Sequence, residues 1–163
     1  MTIRDGRPHG YTTLTPFLVC SPASKAIDFY TAVFGATVVG RMVAPDGTVP
    51  HAELDFGAGR LQLGDPNDTY GLVPPSGQAQ DRVSSSTCIY VADVDAVTAA
   101  AVARGAVLRE APTTFVTGDR FASLYDPFGH RWAIMTRVEE ITPEEGERRL
   151  AEWAASQAAS EAQ

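Results

Sequence analysis

The chain of 163 residues repeats itself, and that repeat limits its fold more than any other feature. The first half opens on a strand-like run, Phe17-Leu18-Val19-Cys20, followed by a helical stretch from Lys25 to Phe34. In that stretch Ala26, Ile27, Tyr30, Val33 and Phe34 place an apolar stripe on one face. Gly35 stands where a helix C-cap glycine belongs, and a β-rich run leads from Ala36 to the Pro45-Asp46-Gly47 turn. His51 to Phe56 alternates apolar and polar residues, Gly57-Ala58-Gly59 turns the chain, and Arg60 to Gly64 alternates back. The second half follows the same order. Thr87 to Val91 reads as a strand, Asp93 or Asp95 can cap a helix reaching about Arg104, and Gly105-Ala106 repeats Gly35-Ala36. Arg120 to Tyr125 and Arg131 to Met135 flank Asp126-Pro127-Phe128-Gly129, a good type I turn sequence. From helix-end glycine to hairpin glycine the spacing is 22 residues in the first half and 24 in the second. Two copies of strand–helix–strand–strand–strand predict an α+β fold built from two βαβββ modules.

The predicted divisions are an N-terminal arm over 1–11, module one over 12–65, a linker or lid over 66–86, module two over 87–137, and an acidic C-terminal helix and tail over 138–163. The linker prediction rests on its Pro, Gly and Ser content. In the tail, Thr142 and Glu145 have capping-box spacing around Pro143, and Leu150 and Trp153 lie on one face of the helix, whose end is expected to fray. The net charge of −7 is concentrated there: residues 139–163 carry seven acids and two arginines. No basic footprint for phosphates is present, which argues against nucleic acid as a partner. No apolar run reaches the ~20 residues of a membrane helix, and no signal-peptide stretch opens the chain. The expected setting is the cytoplasm, with no membrane contact. Cys20 and Cys88 lack metal-ligand spacing and sit in apolar runs, so both are expected as buried thiols.

The duplication, with Ile27-Asp28-Phe29-Tyr30, Phe34-Gly35-Ala36 and Asp126-Pro127-Phe128-Gly129-His130, resembles the vicinal oxygen chelate superfamily of glyoxalases, bleomycin-resistance proteins and ring-cleaving dioxygenases. Thr15-Pro16-Phe17-Leu18-Val19, His51-Ala52-Glu53-Leu54 and the run from Val138 to Glu145 are most similar to its PhnB-like branch. The resemblance implies that the modules pair into a cupped mixed sheet with outer helices, and that the protein is a homodimer. It also implies a ligand site in the cup, and in many members a divalent ion held by four inward side chains. Those four positions fall on Thr15, Gln62, Thr87 and Ala133. Two hydroxyls, an amide and a methyl group are a poor donor set for any divalent ion, so no metal and no cofactor are expected. A slip of one residue would supply Pro16, Leu61, Cys88 and Trp132, which is no better.

Other residues can carry chemistry. His51 and Glu53, two apart on one strand, share a face and form a candidate acid–base pair; cross-strand pairing, for instance with Arg60, is the simpler reading. Phe17 shares the face of Thr15 and can stack on a planar ligand, and Arg120 can meet an anionic group or stand as a surface arginine. Trp132 is assigned to the helix-facing core, and His130 to an exposed turn or to a hydrogen bond at a strand edge. The candidate ligand-binding set is therefore Thr15, Phe17, Gln62, Thr87, Arg120 and Ala133. The first function predicted is a metal-free small-molecule-binding protein that sequesters a drug-like or natural-product ligand. A metal-independent lyase or isomerase using His51 and Glu53 ranks second, and a metal-dependent glyoxalase-type lyase third. Fold alone does not choose among them.

Overall fold

In the computed structural model, which describes residues 6–76 and 82–161, each half of the chain folds by the same local rules. Residues 1–5 of the expected arm, 77–81 of the expected lid and 162–163 of the tail lie outside the described residues. In the first half, β1 (Phe17–Val19) leads into α1 (Ala23–Phe34), followed by β2 (Thr37–Met42), β3 (His51–Asp55) and β4 (Arg60–Gly64). The second half repeats the order as β5 (Ser86–Tyr90), α2 (Val94–Val102), β6 (Val107–Thr114), β7 (Asp119–Tyr125) and β8 (Arg131–Arg137). The terminal helix α3 spans Pro143–Glu161.

The helix starts show how local sequence and tertiary packing cooperate. Pro22, at the N-cap of α1, has no side-chain acceptor to offer. Asp65, just beyond β4, substitutes: Oδ1 accepts from Ala23 N at 2.9 Å and Oδ2 from Val49 N at 2.7 Å. That satisfies an otherwise orphaned helix donor. Asp93, rather than Asp95, caps α2, accepting from Ala96 N at 2.9 Å. Gly35 ends α1 with φ +69°, a conformation that costs glycine nothing. Glu145 N donates to Thr142 Oγ1 at 3.2 Å, as the capping spacing predicts.

The strands form two four-stranded mixed sheets of identical order, β1-β4-β3-β2 and β5-β8-β7-β6. In each, the first strand runs parallel to the last and the others are antiparallel. The α+β fold of two βαβββ units plus a terminal helix is the one the repeat predicts. Within the chain the two sheets remain separate, and no strand of one hydrogen-bonds to a strand of the other among the described residues. They are joined through their helix-facing sides. Tyr30 and Phe34 of α1 stand 5.3 and 4.8 Å from the Trp132 ring of β8, and Tyr30 meets Phe128 at 6.4 Å. Leu18, Leu54, Leu61 and Leu63 from the first sheet and Ala122, Leu124, Trp132 and Ile134 from the second share one core with the helices. Trp132 thus takes the helix-facing place predicted for it. The buried Asp126 ties the halves together: Oδ2 accepts from Tyr30 Oη at 2.6 Å and from Trp132 Nε1 at 2.9 Å.

Alternation leaves the opposite face of each sheet open. Along β3, Ala52 and Leu54 are buried while His51, Glu53 and Asp55 are half-buried on the other side. The helix α3 reaches outward, held by a bidentate Arg149–Glu139 pair at 2.8 Å and by Trp153 against Phe115 at 5.2 Å. It is helical to Glu161.

Candidate functional site

The open face of the first sheet gathers most of the residues that the sequence singles out. Three strand registers place them together: Phe17 pairs with Gln62, Gln62 with Glu53, and His51 with Met42. Glu53 is the hub. Its Oε1 accepts from His51 Nε2–H at 3.4 Å and from Gln62 Nε2 at 3.2 Å, and Oε2 lies 3.8 Å from Arg60 Nη1. Arg60 also reaches Asp55 at 3.7 Å, and Tyr11 of the N-terminal arm stacks on its guanidinium at 4.4 Å. The Phe17 ring stands 6.0 Å from His51. A hydrogen bond from Tyr11, joined by those from His51 and Gln62, holds the Glu53 carboxyl below its ordinary range. Glu53 is therefore an ionised acceptor near neutral pH and a weak base.

On the second sheet the outcome is mixed. Ala133 lies on the open face, across from Cys88 on β5 and Ser123 on β7. Thr87 does not join it. It pairs with Trp132, so it shares the helix-facing side, and Cys88 takes the open position. The carried-over positions Thr87 and Ala133 are out of step by one residue, because the parallel register of β5 and β8 sets Ala133 beside Cys88 and Trp132 beside Thr87. Arg120 is likewise turned from the open face: Nε and Nη2 each donate to Asp95 at 2.7 Å, beside the start of α2. That bidentate pair occupies the fork that was expected to meet an anion. Cys88 is exposed rather than buried, with Sγ 3.1 Å from Met135 Sδ, whereas Cys20 is buried as predicted. His130 takes the hydrogen-bonding alternative, its Nε2–H donating to Val19 O at 2.9 Å.

Sequence reading missed Tyr11 and Cys88. The arm's reach over β4 has no signal in its composition. Cys88 follows from the position of Ala133 only once the register of β5 against β8 is known.

The donors do not form a metal centre. Among the described residues no three His, Cys, Asp or Glu side chains stand together as a group able to hold a metal ion. Glu53 and His51 already bond each other, and Gln62, whose Nε2 donates to Glu53, offers a single neutral carbonyl oxygen. Thr15 and Ala133 add a hydroxyl and a methyl group. Such a set is too short of free anionic or imidazole ligands to offset the lost hydration of a divalent ion.

The fold can now be compared with known proteins. A family model described as Glyoxalase/Bleomycin resistance protein/Dioxygenase superfamily matches residues 12–134. The chain belongs to this superfamily. An uncharacterized protein of Mycobacterium bovis is 35% identical over 135 residues, spanning 81% of this chain and 88% of its own length. TioX from Micromonospora sp. ML1 superposes with a TM-score of 0.61 at 25% identity, covering 77% of this chain and 98% of TioX. The fosfomycin resistance protein FosX from Listeria monocytogenes, crystallised with Mn(II) and sulfate, superposes with a TM-score of 0.59 at 15% identity, covering 85% of this chain and 97% of FosX. At that identity the likeness to FosX is one of fold.

Proposed function

We propose that this superfamily member is a metal-free small-molecule-binding protein of the PhnB-like branch, which holds an organic ligand in a cup completed by a second copy of the chain. The observation that carries this reading is the state of Glu53. Its oxygens are taken up by Tyr11, His51, Gln62 and Arg60, and its carboxyl is held low. A general base works best with a pKa near the working pH, so this carboxylate suits ligand positioning better than proton transfer. The polar hub, the Phe17 ring and the small Ala133 and Ser123 floor opposite Cys88 offer hydrogen bonds and a contact surface for a drug-like or natural-product ligand.

The second copy follows from the open faces. Both lie outside the shared helix-facing core, so one chain does not close a cup by itself. The outer strand β2 is exposed throughout, and Val38, Val39, Met42 and Val43 line up there with no cover; Val107 and Leu108 do the same on β6. A two-fold interface between such edges would bury them and set the open face of one copy against that of the other. No helix among the described residues is long and apolar enough to cross a membrane, and the free thiols Cys20 and Cys88 suit a reducing compartment such as the cytoplasm.

Native mass spectrometry of the purified protein tests both parts. The reading expects a mass twice the 17.4 kDa of one chain, with retained organic ligand and no stoichiometric metal. A lone chain that retains nothing, or a chain carrying one divalent ion, contradicts it.

A further inference from the structure

A second pocket, of about 360 Å³, lies where β1 meets the β7–β8 turn beneath the linker between the two halves. Its walls are fixed by contacts that need no ligand. His130 Nε2–H donates to Val19 O at 2.9 Å and so joins the turn to β1. Pro75 of the linker sits directly on Gly129, where an added Cβ would come within 3.0 Å of the proline Cβ at a φ of +90°. Only glycine allows that approach, so the linker is seated by the turn's own geometry.

The lining is chemically one-sided. The chain has 20 acidic residues and a net charge of −7, yet no Asp or Glu among the described residues lines this pocket. Arg82, Arg131 and His130 do, together with Ser76, Ser84 and Ser85. Elsewhere Arg60, Arg109, Arg120, Arg137, Arg148 and Arg149 are all paired with carboxylates. Arg131 is engaged only through Nε, which donates to the neutral Ser123 Oγ at 3.4 Å. Neither Arg131 nor Arg82 forms an ion pair with an acid among the described residues. Two guanidinium groups and several hydroxyls around one hollow form a donor-rich, acceptor-poor lining, which an oxyanion complements. The remaining walls, Phe17, Val73, Pro74 and Val83, are apolar.

We propose that this pocket binds a small organic anion, with a phosphate, sulfate or carboxylate group between Arg82 and Arg131 and an apolar body against Phe17 and the prolines. The site adjoins the proposed cup: Phe17 lines both, and Arg131 donates to Ser123 of the cup floor. Titration calorimetry of the full chain with inorganic phosphate, phenyl phosphate, benzoate and neutral benzyl alcohol tests it and separates the anion classes. Phenyl phosphate or benzoate is expected to bind more tightly than inorganic phosphate, and benzyl alcohol not to bind. Arg82→Gln and Arg131→Gln are each expected to weaken the bound anion about tenfold, as loss of a charge-assisted contact does. Arg104→Gln, outside the pocket, leaves affinity unchanged. Arg82 is exposed, so its variant stays folded even if Arg131→Gln does not. Equal affinity in Arg82→Gln and wild type overturns the proposal. So does binding of benzyl alcohol as tight as that of phenyl phosphate, or absence of saturation by about 10 mM for every anion.

Discussion

Removing the carboxylate of Asp126 should loosen the junction between the two halves more than any other single polar substitution. Four donors converge on it. Oδ2 accepts from Tyr30 Oη at 2.6 Å and Trp132 Nε1 at 2.9 Å, while Oδ1 accepts from Phe128 N and His130 N, both at 2.9 Å. Asp126, Tyr30 and Trp132 are all inaccessible to solvent or nearly so. In Asp126→Ala the indole and phenol donors lose their acceptor in a site water does not reach, and each stranded buried donor costs about 1–3 kcal/mol. Two such side-chain donors, with partial rehydration of the turn amides, give an expected loss of about 3–5 kcal/mol. That is a large fraction of a typical domain's stability. Tyr30→Phe removes one donor and leaves the carboxylate three others, so its cost should be about 1–2 kcal/mol. Urea denaturation followed by far-UV circular dichroism and Trp fluorescence measures both. In a double-mutant cycle the pair should be strongly coupled, because Tyr30→Phe has little left to remove once Asp126 is gone. A loss below about 1 kcal/mol in Asp126→Ala, or additive effects in the cycle, would show that the junction is held by apolar packing alone.

Two further outcomes follow from the same structure. Thiol labelling of the native protein should modify Cys88 alone, and slowly below pH 9 because partial burial and then Asp119 raise its pKa; Cys20, pushed up to about 12 by burial, should react only on unfolding, and a native stoichiometry of two would contradict this. Arg148 and Arg149 hold the Glu145 carboxyl down to about 2, so the unfolded chain takes up this proton first; the contribution to α3 is complete above about pH 4.5 and fades as pH falls toward 2, which Trp153 fluorescence should report before the core unfolds.

The repeated modules were legible because periodicity and turn chemistry act locally. The stripe through Ala26, Ile27, Tyr30 and Val33, the Gly35 cap and the Asp126 turn each specify their element without reference to the other half. The first open face was legible in part for the same reason: parity within β3 puts His51 and Glu53 on one side, while Phe17 and Gln62 join them through the registers of β1 with β4 and of β3 with β4. The failures came where tertiary context decides. The register between β5 and β8 puts Thr87 on the helix-facing side and Cys88 on the open face, and nothing within either strand signals that register. Asp95 stands 25 residues before Arg120, and nothing in either segment signals their ion pair. Tyr11 is placed by the path of an irregular arm, which has no periodicity to read.

The central claim is that the open faces bind an organic ligand without a metal ion. Loading the protein with Ni²⁺, Zn²⁺, Mn²⁺ or Fe²⁺, desalting it and measuring bound metal by elemental analysis tests this most directly. The claim predicts that no ion is retained in stoichiometric amount, and that a chelator leaves thermal stability unchanged. Retention of about one ion per chain, abolished in Glu53→Ala or Gln62→Ala, would contradict it and place a metal-dependent reaction at this site.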